Sequence, residues 1–296
     1  MADPQTAVQR LLTLRQFPGL SEAALDELAI IAENVVELEH SAGATVITPG
    51  RSAPLHLVIE GKLVSGSGQS WGPLEVVGAL EAIARRRRVE PVTAELPTRT
   101  LRLAASDFRE ILEDNYGLLT SVRRSLARGL LAEPPASPMP TTRAIETLSD
   151  APLGMVDRLI VLRRYMPFGR GRIEALAALA QATEEVRLPA RTVVGTAGDP
   201  ATSVLVLVEG TVRGVRDGVS FVLGPGHAPG ALESLAEVAH TSTMSTLTPI
   251  RALRFPTSVL FDVLEDHTDL GLAMVEALAG ALVERSPSLT DRPYVN

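Results

Sequence analysis

Hydrophobic positions along the chain follow helical spacing, then strand-like spacing, and the whole alternation occurs twice. Ala23, Leu25, Leu28, Ala29, Ile31 and Ala32 recur at helical spacing, as do Ile173, Leu176, Leu179 and Ala180 further on. Each helix is followed by short apolar runs of strand character. These are ATVIT and LHLVIEG in the first place, RTVVG and SVLVLVEG in the second, punctuated by Gly, Pro and Asp. A glycine then opens a short helical stretch, and another strand follows (RTLRLAA, IRALRF). Two helical stretches close each set, ending in LLTSVRRSLARGLL and LGLAMVEALAGALVER. Short strands at regular spacing, framed by helices, predict a small antiparallel barrel or β-roll.

The two sets are copies of one another. LHLVIEGKL (residues 55–63) matches VLVLVEGTV (204–212), with Glu60-Gly61 over Glu209-Gly210. WGPLEVVGALEAIA (71–84) matches LGPGHAPGALESLA (223–236), and SDFREILED (106–114) matches SVLFDVLED (258–266). From Gly78/Gly230 to Asp114/Asp266 the offset stays at 152 residues, whereas before the hairpin it is 148 to 149. The copies therefore differ by a small length change in the hairpin after the Glu-Gly pair. Between them, LAEPPASPMPTTR carries four prolines, which fix an extended connector and exclude a helix. The expected organisation is a first domain over residues 1–132, a Pro-rich linker at 133–143, a second domain over 144–286 and a loose tail at 287–296.

This pattern resembles the cyclic-nucleotide-binding domain family. The matching pieces are the leader LRQFPGLSEAALDELA, the stretch GATVITPG, the strand ending in Glu-Gly and the Gly-opened helix within the roll, each with a counterpart in the second half. The resemblance implies a mainly β fold with flanking helices: two tandem double-stranded β-helix (jelly-roll-like) domains of the catabolite-activator type. It also implies a phosphate-binding cassette of the form G-E-x-A…P-R-A-A-T-V. There the glycine and helix start would present N–H groups to the cyclic phosphate, the glutamate would accept from the ribose 2′-hydroxyl, and the arginine would pair with the phosphate.

Laid on this chain, the cassette is degenerate. The first copy offers Gly78, Ala79 in place of the glutamate, Leu80, Glu81, then Arg88 at the arginine position, followed by Val89. The second offers Gly230, Ala231, Leu232, Glu233, then His240 and Thr241. The sugar-binding glutamate is missing from both, and the arginine survives only in the first. Losing a hydrogen bond to a charged group weakens binding by about one to two orders of magnitude. A cyclic nucleotide (cAMP or cGMP) is thus a candidate ligand of the first copy, and the second is a poor site for one.

Each of these residues also has a plainer reading. Arg88 ends the run Arg85 to Arg88, and it either touches a phosphate or is a solvated arginine at a helix C-terminus, where a cation is mildly favoured. Arg85, Arg86 and Arg87 are expected to face solvent. Glu81 and Glu233 either replace the lost sugar contact or are helix-start carboxylates on a surface. His240 either binds phosphate when protonated or is a polar turn residue.

Charge and composition narrow the rest. The net charge of −7 disfavours nucleic acid as a general partner, and no aromatic residue interleaves with the arginine run to stack bases. No cysteine is present, which excludes disulfides, thiolate metal ligands and a cysteine nucleophile. His40, His56, His227, His240 and His267 lack metal-ligand spacing, and no nucleophile elbow or Walker loop occurs, so an enzyme is not expected. With no apolar run long enough for a bilayer, the expected setting is the cytoplasm, without membrane contact. No DNA-binding domain is expected after the second roll. The closing helices carry Leu118, Leu119, Val122, Leu126 and Leu130, and Leu272, Val275, Leu278 and Leu282, which pack within the chain or against a protein partner or second copy.

Two functions follow: a non-enzymatic regulatory sensor with a nucleotide site in the first copy, or a ligand-free protein-docking scaffold built from two decayed rolls.

Overall fold

The computed structural model describes residues 4–21, 23–50, 53–133, 151–165 and 168–285. Nearly all of the expected Pro-rich linker, and the whole expected tail, lie outside them. The described residues divide into two compact units, those within 4–122 and 275–285, and those within 123–274.

The first unit begins with helices α1 (Pro4–Leu14) and α2 (Leu25–Asn34). Glu27 accepts the Ala24 N–H at 2.9 Å, which satisfies one of the free donors at the start of α2. Strands β1 (Val36–His40), β2 (Thr45–Ile47), β3 (Leu55–Glu60), β4 (Leu63–Ser65), β5 (Ser70–Trp71) and β6 (Val76–Val77) follow. Helix α3 (Ala79–Ala84) interrupts them before β7 (Val92–Ala94) and β8 (Thr98–Leu103). Helices α4 (Ala105–Asp114) and α5 (Tyr116–Ala132) come next. The strands form two antiparallel sheets, in the orders β1-β8-β3-β6 and β2-β7-β4-β5. The inward-facing residues Ile47, Val58, Leu63, Trp71, Val77, Val92 and Ala94 share one core.

The second unit repeats this order without a counterpart of β6. Helices α6 (Met155–Arg164) and α7 (Ile173–Ala182) lead into β9 (Glu184–Leu188), β10 (Val193–Gly195), β11 (Ser203–Glu209), β12 (Val212–Arg216) and β13 (Val219–Leu223). Helix α8 (Ala231–Ala236), strands β14 (Thr243–Thr246) and β15 (Ile250–Pro256), then α9 (Thr257–Asp266) and α10 (Thr268–Arg285) follow, with α10 from Val275 on counted in the first unit and α5 from Arg123 on in the second. Its sheets run β10-β14-β12-β13 and β11-β15-β9. The core holds Val186, Leu205, Leu207, Val212, Met244, Ile250 and Ala252. The chain is therefore two tandem β-rolls with flanking helices.

The length difference between the copies falls in the hairpin. β4 pairs with β5 at Leu63↔Trp71 and Val64↔Ser70, whereas β12 pairs with β13 over the whole span from Val212↔Leu223 to Arg216↔Val219. In the closing helices, Leu118, Leu119, Leu126, Leu130, Leu272, Val275 and Leu278 are all buried within the single chain. Most of the apolar surface they would offer to a partner is already covered, while Val122 and Leu282 are half-buried.

Candidate functional site

Both rolls set a glycine at the start of the short internal helix in a left-handed conformation, Gly78 at φ +89° and Gly230 at φ +76°. A β-carbon on Gly78 would lie 2.3 Å from the Pro54 carbonyl oxygen, so only glycine fits. On Gly230 the obstacle is the His240 ring, 2.6 Å from such a carbon. These glycines aim the helices inward, and the third residue after each one is buried: Glu81 is 3% exposed and Glu233 5%.

In the first roll, β7 is preceded by Arg88, which is 1% exposed and the bulkiest fully buried side chain. Its Nη1 donates to Glu81 Oε1 in a short ion pair. The guanidinium stands 4.8 Å over the Trp71 ring, close enough for a cation–π contact. Its Nε and Nη2 are buried and meet no acceptor among the described residues. The arginine backbone is fixed too, since its carbonyl accepts the Gly50 N–H at 2.9 Å. Burying a guanidinium without partners for all its donors is costly, and here one edge of it is left open.

The second roll has the same frame and different chemistry. Glu233 accepts from Thr241 Oγ1 at 2.7 Å and from the Thr241 N–H at 3.3 Å, with no ion-pair partner among the described residues. His240 sets its ring against Gly230 and Gly195, and its Nδ1 is buried without a partner among the described residues. Where the first roll has Trp71, the second has Leu223, half-buried against the core.

Several sequence expectations are corrected by this geometry. Arg88 is not a solvated helix end, because β7 and the roll enclose it. Glu81 and Glu233 are not surface carboxylates, since the inward aim of α3 and α8 buries them. His240 is more than a polar turn residue, as it fills the space above Gly230. Of the other arginines, Arg85 and Arg87 are exposed as expected, but Arg86 is half-buried and reaches Glu284 at 3.4 Å. Ala79 and Leu80 are half-buried beside Gly78, whereas Val89 is exposed. Ala231 is buried and Leu232 half-buried. Trp71 was not singled out from the sequence. Its signal was available, as the chain's one tryptophan in a repeat where the other copy has leucine.

Two further polar groups distinguish the rolls. In the first, His40 Nε2 and His56 Nδ1 both hydrogen-bond Thr100 Oγ1, at 3.0 and 3.1 Å. Burial, with smaller contributions from His40 and Arg102, pushes His56 down to about 3. In the second, Arg251 pairs with Glu185 at 2.9 Å and Glu209 at 3.3 Å and also donates to the Ala151 carbonyl oxygen. Burial of Glu185 would raise its pKa, but the Leu153 N–H, Arg251 and Arg187 outweigh it and bring the group down to about 2. Among the described residues no cluster of three or more His, Asp or Glu could hold a metal ion, and no helix is long and apolar enough to cross a membrane.

Residues 185–267 match the family model for the cyclic nucleotide-binding domain. No curated protein matches the chain. Among solved structures, the regulatory domain of Toxoplasma gondii PKA with cAMP is 14% identical, with 97% of this chain and 98% of that one covered and a TM-score of 0.36. A regulatory subunit of a cAMP-independent protein kinase A from Trypanosoma brucei is 15% identical over 98% of this chain and 95% of that one, with a TM-score of 0.37. The N-terminal domain of a transcriptional regulator from Streptomyces coelicolor A3(2) is 28% identical over 45% of this chain and 99% of its own, with a TM-score of 0.39. Residues 185–267, which hold the glycine-capped helix between strands of the second roll, are thus similar to the cyclic nucleotide-binding domain family.

Proposed function

We propose that this protein is a non-enzymatic regulatory sensor whose first roll takes a small phosphate-bearing ligand of the cyclic-nucleotide type, cAMP or cGMP, at Arg88. One observation carries this reading: a guanidinium 1% exposed keeps two buried donors without acceptors, in the place where the resemblance puts the phosphate. A structural arginine would satisfy those donors within the protein, whereas a binding arginine leaves them to the ligand. The second roll offers no such group. Its buried Glu233 disfavours an anion, so the site count is one per chain.

Calorimetric titration of the full chain with cAMP and cGMP tests this. Binding is expected in the wild type, absent in Arg88→Ala, and little changed in His240→Ala. The paired replacement Glu81→Gln/Arg88→Gln removes both charges together and guards against a fold lost to an unpaired buried carboxylate. Binding that survives loss of Arg88 and disappears with His240 overturns the assignment. No binding at millimolar concentration makes the ligand-free docking scaffold the better reading of the two rolls.

A further inference from the structure

Resting on that reading of Arg88, we infer that Glu81 is a positioning and specificity residue, which makes the first site select anions of a single charge, such as a phosphodiester, over dianionic phosphomonoesters. Arginine carries its donors in a planar fork, and the Nε–Nη2 edge is one of the faces that matches two oxygens of an anion. Glu81 occupies Nη1, which leaves the Nε–Nη2 edge open, buried and unpartnered among the described residues. Trp71 holds the plane of the guanidinium from one side. The fork is thus oriented before any ligand arrives, so less freedom is lost on binding.

The same carboxylate sets the charge that the site accepts. Arg88 and Glu81 together are neutral, both are almost fully buried, and a bound monoanion makes the total −1. A dianion would add a second negative charge across one guanidinium from Glu81, where little water screens it. A cyclic phosphodiester carries one charge at any pH near neutrality, while a phosphomonoester approaches two above about pH 6. The expected preference for the monoanion is roughly tenfold or more, from one added unit charge at protein dielectric. A dianion is also harder to desolvate anywhere, so the part due to Glu81 is read from Glu81→Gln, which keeps an acceptor for Nη1 and removes the charge.

The test is titration of the full chain with cAMP and 5′-AMP at pH 8. Wild type should bind cAMP at least about tenfold more tightly, and Glu81→Gln should narrow that gap severalfold while Glu81→Asp keeps it. A second measurement needs no variant. Lowering the pH from 8 to 5.5 removes one charge from 5′-AMP, so wild-type affinity for 5′-AMP should rise severalfold while that for cAMP stays level. Equal binding of both probes by wild type, an unchanged gap in a folded Glu81→Gln, or a flat 5′-AMP profile overturns the role of Glu81 and leaves the Arg88 site standing. If wild type binds neither probe, the Arg88 reading itself fails, and this inference with it.

Discussion

The two rolls share a backbone and differ in what they bury at equivalent positions. The first places Arg88 between Glu81 and Trp71, a cation paired with an anion and set over an aromatic ring. The second has Leu223, Glu233 and His240 there, with Thr241 as the carboxylate's hydrogen-bond partner. The acid is common to both, so the difference lies in the arginine and in the ring that supports it. A similar exchange occurs on the opposite sheet. His40, His56 and Thr100 of the first roll take the positions that Leu188, Leu205 and Ala252 hold in the second, where they are apolar core or its edge. A third exchange runs the other way. Arg99 lies 39% exposed between Glu37 and Glu60, whereas its counterpart Arg251 is 4% exposed between Glu185 and Glu209. Burial decides what each identical pairing is worth: the same arginine and two glutamates are a surface decoration in one roll and a structural latch in the other.

The largest expected effects come from stranding a buried charge. Arg88→Ala leaves Glu81 without its cation and should cost about 3–5 kcal/mol in urea unfolding. Arg251→Ala takes the buried cation from Glu185, which keeps the more exposed Arg187, and removes a donor to the Ala151 carbonyl, and should cost about 3 kcal/mol. Arg99→Ala, between exposed partners, should cost about 1 kcal/mol or less. A cost for Arg99→Ala equal to that for Arg251→Ala would erase the distinction. Next come the two glycines. Both substitutions to alanine impose a left-handed conformation, but Gly78→Ala meets a backbone carbonyl and Gly230→Ala a side chain that can turn away. Gly78→Ala should lose about 3 kcal/mol and Gly230→Ala about 1 kcal/mol, measured in the same way.

Acid should act on the first roll before the second. His56 has a folded value of about 3 against an ordinary 6.5, so the unfolded chain binds the proton first. Its contribution is fully present above pH 6.5 and is lost as the pH falls from there toward 3, by about 1.4 kcal/mol per pH unit at most. Glu185 also has a lowered value, about 2 against 4.5, and its contribution is lost only between pH 4.5 and 2. Unfolding followed from pH 7.5 to 5.5 should therefore show a slope that His56→Leu flattens. The smallest effect is Arg85→Ala. That side chain is exposed, and its left-handed backbone is equally strained in alanine, so stability should stay within about 0.5 kcal/mol.

Much of the fold was readable in the sequence, because period-2 and helical spacing recur in two registers with an offset of 152 residues across the internal helices. The glycines at 78 and 230 were legible for the same reason, as backbone demands leave a residue type behind. The enclosure of the cassette acids was not. Glu81 and Glu233 read as ordinary helix-start carboxylates, since a six-residue helix has no amphipathic signature to reveal which side faces in. Arg88 sat in a run of four arginines that local sequence could not tell apart. Its burial follows from the approach of β7 and from Trp71 on β5, contacts between strands separated along the chain. The paired fates of Arg99 and Arg251 depended on residues 151–153 folding over one of them, which no local pattern encodes.

The central claim is that one roll has an anion site and the other does not, and the binding stoichiometry measures it. Titrated to saturation with cAMP, the wild-type chain should take up one molecule per chain, and Glu81→Gln/Arg88→Gln none. Two molecules per chain, or one that persists when both charges are removed, would contradict it.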